Sequence, residues 1–393
     1  MKKITFKKRN PEVYLENVNE LLQIRRYLHA HPELSEEEFQ TAETISGFIS
    51  KYNPTEIIKN VGGTGVVAIF DSGEKGKTIL FRSELDALPI HETNNFSYRS
   101  TVDGVAHKCG HDGHSAILIG LAKELFEHPL ENGKVVLLFQ PAEENGRGAK
   151  AVLEDPRFAE IQPDYVFAFH NLPGYPLNQV VIKDGSFTAA VKSIIIKFYG
   201  KTSHAAEPEH GENPAISIAE ILTKSKALSN NNPERKDFAV ITPIHIEMGE
   251  IYYGISAGYG ELRLTLRTWT EEEMEILKTK LLQIIKETSS RNSIKTEVDW
   301  TQEFMANQND PESVAMIRDA ALSENLSVKV QTHPFKWGED FGLFTQQYKG
   351  AMFGIGAGEN TPALHNPDYD FPDEILPVGV QLFYKIALNI SHK

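Results

Sequence analysis

The stretch His107-Lys108-Cys109-Gly110-His111-Asp112-Gly113-His114 holds the only cysteine of 393 residues and three of the fourteen histidines. A thiol and an imidazole two residues apart, on a glycine-punctuated turn that opens a helix, can converge on one point. Both are ligands for a borderline-soft divalent metal. The following residues, Ser115 to Glu127, put Ile117, Leu118, Leu121 and Leu125 on one face at helical spacing, which predicts an amphipathic helix. The motif therefore reads as a loop at the mouth of a rigid element, where sites are commonly built. A buried free cysteine beside surface histidines would look the same locally. What decides between the two is whether further ligand types arrive from elsewhere in the chain.

They arrive at the ends of predicted strands. Val66 to Phe70 and Thr78 to Phe81, joined by Asp71-Ser72-Gly73, predict a hairpin or strand pair, and the second run leads into Glu84 and Asp86. Val135 to Phe139 is halted by Pro141 and followed by Glu143-Glu144. Tyr165 to Phe169 ends at His170-Asn171, and Ala351 to Ile355 is followed, after a glycine-rich turn, by His365. Helices alternate with these runs, so the class is α/β, and open α/β sheets bind ligands outside the carboxyl ends of their strands. Taken singly, Glu143-Glu144 could be solvated charge and His170 a satisfied core histidine. Their shared placement singles out Cys109, His111, Glu144, His170 and His365, with Glu143 and Asp86 beside them.

Upstream, Glu12 to Leu28 carries Tyr14, Val18, Leu21, Leu22 and Leu28 at helical spacing, and Ser35 with Glu38 forms a capping-box signature ahead of Phe39, Ala42, Ile45 and Ile49. Both read as surface helices. His29 and His31, between them, read as helix-terminal or loop histidines rather than ligands.

The chain length predicts two domains or more, and 40% hydrophobic residues make it comfortably globular. A net charge of −14 argues against nucleic acid or an anionic membrane as partner. One cysteine allows no internal disulfide. Met1 to Asn10 is basic but precedes no apolar run of signal-peptide length, so a soluble, cytoplasmic protein is expected.

The middle of the chain follows a different order. Lys192 to Tyr199 alternates like a strand; Asn213 leads into a helix from Pro214 to Leu228; Ala239 to Glu247 and Glu261 to Thr268 are strands. Thr270 and Glu273 cap a helix to Ser289, and Thr296 to Trp300 is a last strand. The order βαββαβ matches the ferredoxin-like split unit. It predicts a domain over 191–304 inserted into a discontinuous one over 1–190 and 305–393, with Asn307 to Pro311 as return linker.

Six strings in this order, Arg26 to Ser35, Leu85 to Ile90, Cys109 to His114, Gln140 to Glu144, His170-Asn171 and Gly338-Glu339-Asp340-Phe341, resemble the M20 metallopeptidase family. The likeness is greatest to its amidohydrolase branch of hippurate hydrolases, N-acyl-amino-acid amidohydrolases and auxin-conjugate hydrolases. The resemblance implies a mixed-sheet metallohydrolase domain with an inserted lid or dimerisation domain, and a homodimer. It implies one or two divalent metals on Cys109, His111, Glu144, His170 and His365, the thiolate bridging, and Glu143 as general base for attack of water on an amide. Zinc or manganese is expected, with cobalt or nickel able to substitute. Asp86 is expected to fix the tautomer of a ligand imidazole. By the same resemblance His204 would hydrogen-bond the developing oxyanion in a partner's site, and Asn213 and Arg267 would bind substrate, a small N-acyl amino acid.

Three features depart from the family pattern. Position 84 is Glu where relatives usually carry Asp, and it is read as a supporting residue rather than a ligand. Tyr253-Gly254-Ile255-Ser256 replaces an Asn-Val-Ile-Pro stretch, and the loop after His204 is acidic at Glu207, Glu209 and Glu212. These bear on substrate preference. A dipeptidase or other deacylase of the same family, and a hydrolase using Cys109 as nucleophile, are the competing readings.

Overall fold

The computed structural model describes the backbone from Pro11 to His392 and side chains from Val18. The basic stretch Met1 to Asn10 and the side chain of Tyr14 lie outside the described residues. The chain divides into two compact units. One takes in the chain up to Gly185, Gln308–Gln331 and Leu343 onward; the other comprises Ser186–Asn307 and Thr332–Gly342. The expected boundaries near 190 and 305 leave out that last segment. Phe335 binds it to the second unit by accepting from Ala189 N at 2.9 Å, and Lys336 O accepts from Arg267 Nη1 at 2.7 Å.

The first unit is built on an eight-stranded mixed sheet. Its order is Glu56–Val61, Gly65–Asp71, Lys134–Gln140, Thr78–Glu84, Tyr165–Leu172, Lys349–Gly356, Val180–Ile182 and Val328–Val330. The third to sixth of these are mutually parallel. Their carboxyl ends therefore share one edge, and every ligand-type loop read from the sequence leaves from it. The expected hairpin does not form: Gly65–Asp71 pairs antiparallel with Lys134–Gln140, which inserts between it and Thr78–Glu84. Gly65–Asp71 makes its hairpin with Glu56–Val61 instead.

The helix His111–Glu127 differs from its amphipathic forecast, because it is buried all round from His111 to Ala122. A Cβ at Gly120 would stand 2.5 Å from Val380 and 2.9 Å from Leu21, so helices Pro11–Ala30 and Ile375–Ser391 close over its outer side. Phe383 of the last helix packs on Phe81, Phe169 and Phe353, one ring from each of three parallel strands. The capping box also fails to form. Ser35 Oγ donates to Asp86 and Glu38 is wholly buried, accepting from Thr64 Oγ1 and Ala142 N, so both residues serve the strand-end loops rather than the helix Phe39–Ile49.

The second unit is a four-stranded antiparallel sheet in the order Ala239–Met248, Tyr259–Thr268, Ala190–Tyr199 and Lys295–Phe304, with helices Ala215–Lys226 and Glu271–Arg291. That order, second-third-first-fourth, is the ferredoxin-like one. Thr270 caps its helix as expected, accepting from Glu273 N at 3.3 Å. Ile194, Leu264, Ile221 and Leu281 lie in its separate core. Among the described residues no helix is long and apolar enough to cross a membrane.

Candidate metal centre

Gly110 makes the turn into the helix. Its φ is +105°, and a Cβ there would lie 2.6 Å from Asn171 Oδ1, so only glycine lets the loop pass the end of the neighbouring strand. Cys109 and His111 are thereby delivered to the strand-end edge, both buried. Cys109 Sγ lies 3.4 Å from His170 Nε2. His170 donates from Nδ1 to Asn171 O at 3.0 Å, which leaves its Nε2 lone pair facing the sulfur. His111 is oriented in the same sense: Nδ1 lies 2.9 Å from the Asp86 carbonyl and 3.3 Å from Asp86 Oδ1.

The other nitrogen of His111 is the informative atom. Nε2 is buried with no hydrogen-bond partner, 4.0 Å from Glu143 Oε2 and 3.9 Å from Glu144 Oε1. Those separations are too long for hydrogen bonds and suit groups arranged around a shared cation. His365 comes from the opposite side, its Nε2 3.6 Å from Glu144 Oε1. Its N–H donates to Lys108 O at 2.8 Å, which ties the loop after Lys349–Gly356 to the cysteine loop. His365 also has φ +66°, a left-handed conformation that a non-glycine residue holds only when its surroundings enforce it.

Ligand atoms of Cys109, His111 and His170 lie within 4.8 Å of one another, as do those of Cys109, Glu144 and His365, and those of His111, Glu143 and Glu144. Cys109 belongs to two of these groups, so its sulfur is placed to be shared. The electrostatics agree. Burial opposes charge on His111, yet Asp86 and the carboxylates of Glu84 and Glu144 outweigh it and push the imidazole up to about 10. A field that holds an extra proton so firmly is one that fits a cation. Burial pushes the Cys109 thiol up, and Glu144 and Glu143 push it further, so it ionises only if a positive charge is supplied.

Asp86 supports the group from behind: burial opposes its ionisation, but His111, Glu144 N at 3.0 Å and Ser35 Oγ at 2.7 Å hold it below the usual carboxylate range. Glu84 bonds to Arg82 and to His114 Nδ1 at 2.7 Å, and His114 Nε2 meets Asn171 Oδ1 at 2.6 Å. The sequence contained His114 and Asn171 within its motifs without assigning them. Their signal was their position, each immediately beside a ligand loop.

The remaining expected residues, His204, Asn213 and Arg267, are in the second unit. His204 is exposed, on a two-residue strand paired with Ile255–Ser256, and Asn213 donates to Ser256 Oγ at 3.0 Å. These two are neighbours. Arg267 is not with them: it lies near the far end of Tyr259–Thr268, whose first residue pairs with Tyr199, roughly 25 Å away along the strand. Asn213 is also occupied locally, accepting from Ala215 N at 2.9 Å.

Comparison with known proteins gives a consistent result. Residues 80–389 match Peptidase family M20/M25/M40. Hippurate hydrolase of Campylobacter jejuni is 30% identical over 381 residues, 96% of this chain and 98% of that protein. N-acetyldiaminopimelate deacetylase of Listeria innocua is 31% identical over 366 residues, covering 93% and 98%. Among solved structures, the Bacillus subtilis YXEP protein, described as a dinuclear metal-binding peptidase of the M20 family, superposes with a TM-score of 0.81 at 27% identity over 96% of this chain and 99% of that one. With a match over most of its length and relatives aligned nearly end to end, this chain belongs to Peptidase family M20/M25/M40 and is a hydrolase of amide bonds.

Proposed function

We propose that the protein removes the acyl group from N-acyl amino acids or similar small conjugates. One or two divalent cations would be held by Cys109, His111, Glu144, His170 and His365. The observation that carries this reading is the double membership of Cys109 in groups with His111 and His170 and with Glu144 and His365. A cation held there supplies Lewis acidity, which polarises an amide carbonyl and makes water nucleophilic near neutral pH. The mixed sulfur, nitrogen and oxygen donors suit zinc, with manganese, cobalt or nickel as alternatives.

The protein's own residues do the rest. Glu143, beside His111 and buried, takes the proton of the attacking water and returns it to the leaving amine. Asp86 holds His111 with its Nε2 turned inward. We place His204 as a donor to the oxyanion in the site of a partner subunit within a homodimer, with Asn213 and Arg267 as substrate contacts. Arg267 lies roughly 25 Å along the strand from the end near His204, farther than a small N-acyl amino acid reaches, so in this reading the two serve different sites, His204 the partner's and Arg267 that of its own subunit.

The pair Cys109 and His170, at 3.4 Å, could also be read as a nucleophile and its base. A cysteine nucleophile needs a depressed pKa. Here burial and two carboxylates raise it, and burial and the nearby His114 hold the His170 imidazole well below its ordinary value. The deciding experiment is metal analysis of purified protein combined with hydrolysis assays on N-acetyl, N-benzoyl and longer N-acyl amino acids, with dipeptides alongside. Turnover of dipeptides alone would move the reading to a dipeptidase.

A further inference from the structure

The residues on either side of the ligand pair, Lys108 before Cys109 and Asp112 after His111, are both wholly or almost wholly buried. Buried charges of this kind are tolerated only when paired. Lys108 Nζ bonds to Glu92 Oε1 and to Tyr369 O at 2.8 Å. Asp112 Oδ2 accepts from Arg25 Nη1 at 3.3 Å. One imidazole connects the two arms: His29 Nδ1 lies 2.9 Å from Asp112 Oδ2, and His29 Nε2 lies 3.0 Å from Glu92 Oε1. None of these residues is a ligand, and the hydrolytic scheme uses none of them.

We propose that His29 is a positioning residue for the metal centre, a doubly donating brace that joins Glu92 to Asp112. It would hold both ends of the segment 108–112 so that Cys109 and His111 keep their convergence. The inference rests on the reading of those two residues as ligands.

The chemistry of the ring requires the charged form. Both partners are carboxylates, which when ionised only accept, so an imidazole bonded to each must carry a proton on both nitrogens. The environment supports this: burial opposes the charge, but the bonds to Asp112 and Glu92 outweigh it and push His29 up to about 9. Glu92, despite burial, is held down to about 2 by His29 and Lys108. Arg25 reaches Asp370 at 2.8 Å and Asp373 at 2.7 Å, so it is anchored independently and holds Asp112 at one point only. A neutral imidazole at 29 could donate to one carboxylate only, and the two N–H donors of a glutamine sit on one nitrogen rather than at the two ring positions that meet Asp112 and Glu92. The two arms would then be free to shift separately, and with them the sulfur and the nitrogen that must meet one ion.

The test reads metal affinity of folded protein rather than activity. Wild type, His29→Gln, Glu92→Gln and the double variant are stripped of metal. They are then titrated with zinc against a competing chelator and with cobalt(II), whose thiolate absorption reports on Cys109. Each single variant should raise the metal Kd roughly tenfold or more. The double variant should be worse by less than the product of the two, because both cut the same brace. His31→Gln, at an exposed neighbouring histidine, should match wild type. A merely structural role would lower Tm and leave the Kd of the folded protein unmoved. That result, or fully multiplicative losses in the double variant, would overturn the brace. If His29→Gln does not fold, Glu92→Gln, which keeps its shape and an acceptor oxygen, makes the same decision alone. Wild-type protein that binds no metal, or Cys109→Ala that binds it like wild type, overturns the ligand assignment and the brace together.

Discussion

The Sγ of Cys109 stands 3.4 Å from Nε2 of His170, and the far nitrogen of that ring is committed to the Asn171 carbonyl. Without a cation the thiol keeps its proton and can donate it to Nε2; a cation would displace that proton and engage both the sulfur and the Nε2 lone pair. Cys109→Ala and His111→Ala are each expected to lose metal and activity together. Elemental analysis beside a turnover assay checks this, and a thoroughly chelated sample that kept full turnover would contradict it.

Glu143 and Glu144 are adjacent but should separate by variant. Glu143→Gln keeps the shape and removes proton transfer, so metal content should stay normal while kcat falls by roughly 10²-fold or more. Glu144→Gln should weaken metal binding, because its Oε1 lies near both His111 and His365. Equal behaviour of the two variants in both assays would reject the division of roles.

Gly110→Ala introduces a Cβ at φ +105° and 2.6 Å from Asn171 Oδ1. The backbone strain alone is worth on the order of 1–3 kcal/mol. Relief requires the loop or Asn171 to move, so both Tm and metal affinity should drop. A variant with lowered Tm and unchanged metal Kd would show that the loop absorbs the strain away from its ligands.

The pH dependence of stability follows from His29. Its imidazole is raised in the folded protein to about 9, against roughly 6.5 in an unfolded chain. Its contribution is therefore fully present below about pH 6.5 and is lost as pH rises through about 9. In metal-free protein, the stability difference between wild type and His29→Gln, measured by denaturant unfolding, should be constant at acid pH and shrink across that window. A difference that grew with pH would show that the ring is neutral when folded.

For His204 the test is complementation. If it acts across a dimer, mixing Glu143→Ala with His204→Ala protein under subunit exchange should restore roughly a quarter of wild-type activity, since half the dimers are mixed and each rebuilds one of two sites. Confirmed exchange with no recovery would place His204 within its own subunit or outside the reaction.

The ligand-type residues were legible because each stands just past an apolar run, and the parallel strands bring those ends to one edge. The sheet order was not legible, since nothing local shows that Lys134–Gln140 slides between two runs joined by a good turn. The helix Ile375–Ser391 and strand Glu56–Val61 went unread, the strand because five of its six residues are exposed or only half-buried. His29 reads from the sequence as a helix-terminal or loop histidine and does sit in the last turn of Pro11–Ala30, but its bracing role is not legible because its partners Glu92 and Asp112 lie far along the chain. Ser35 and Glu38 carried a valid local signature that tertiary bonds overrode: Asp86 and Ala142 offered partners in a drier setting than a helix end.

The strand Lys349–Gly356 lies between Tyr165–Leu172 and Val180–Ile182 in the sheet, although the whole second unit separates it from them in sequence. During synthesis the sheet therefore has a gap at its middle until almost the entire chain has emerged, and His365 follows later still. A ribosome-bound chain that has reached residue 340 already carries four of the five ligand-type residues, but neither the strand that completes their platform nor the histidine that closes it. Closure of the proposed metal site would in this way be deferred to the end of translation, and chains truncated before Lys349 should accumulate as unclosed, protease-sensitive sheets rather than as partly active enzyme.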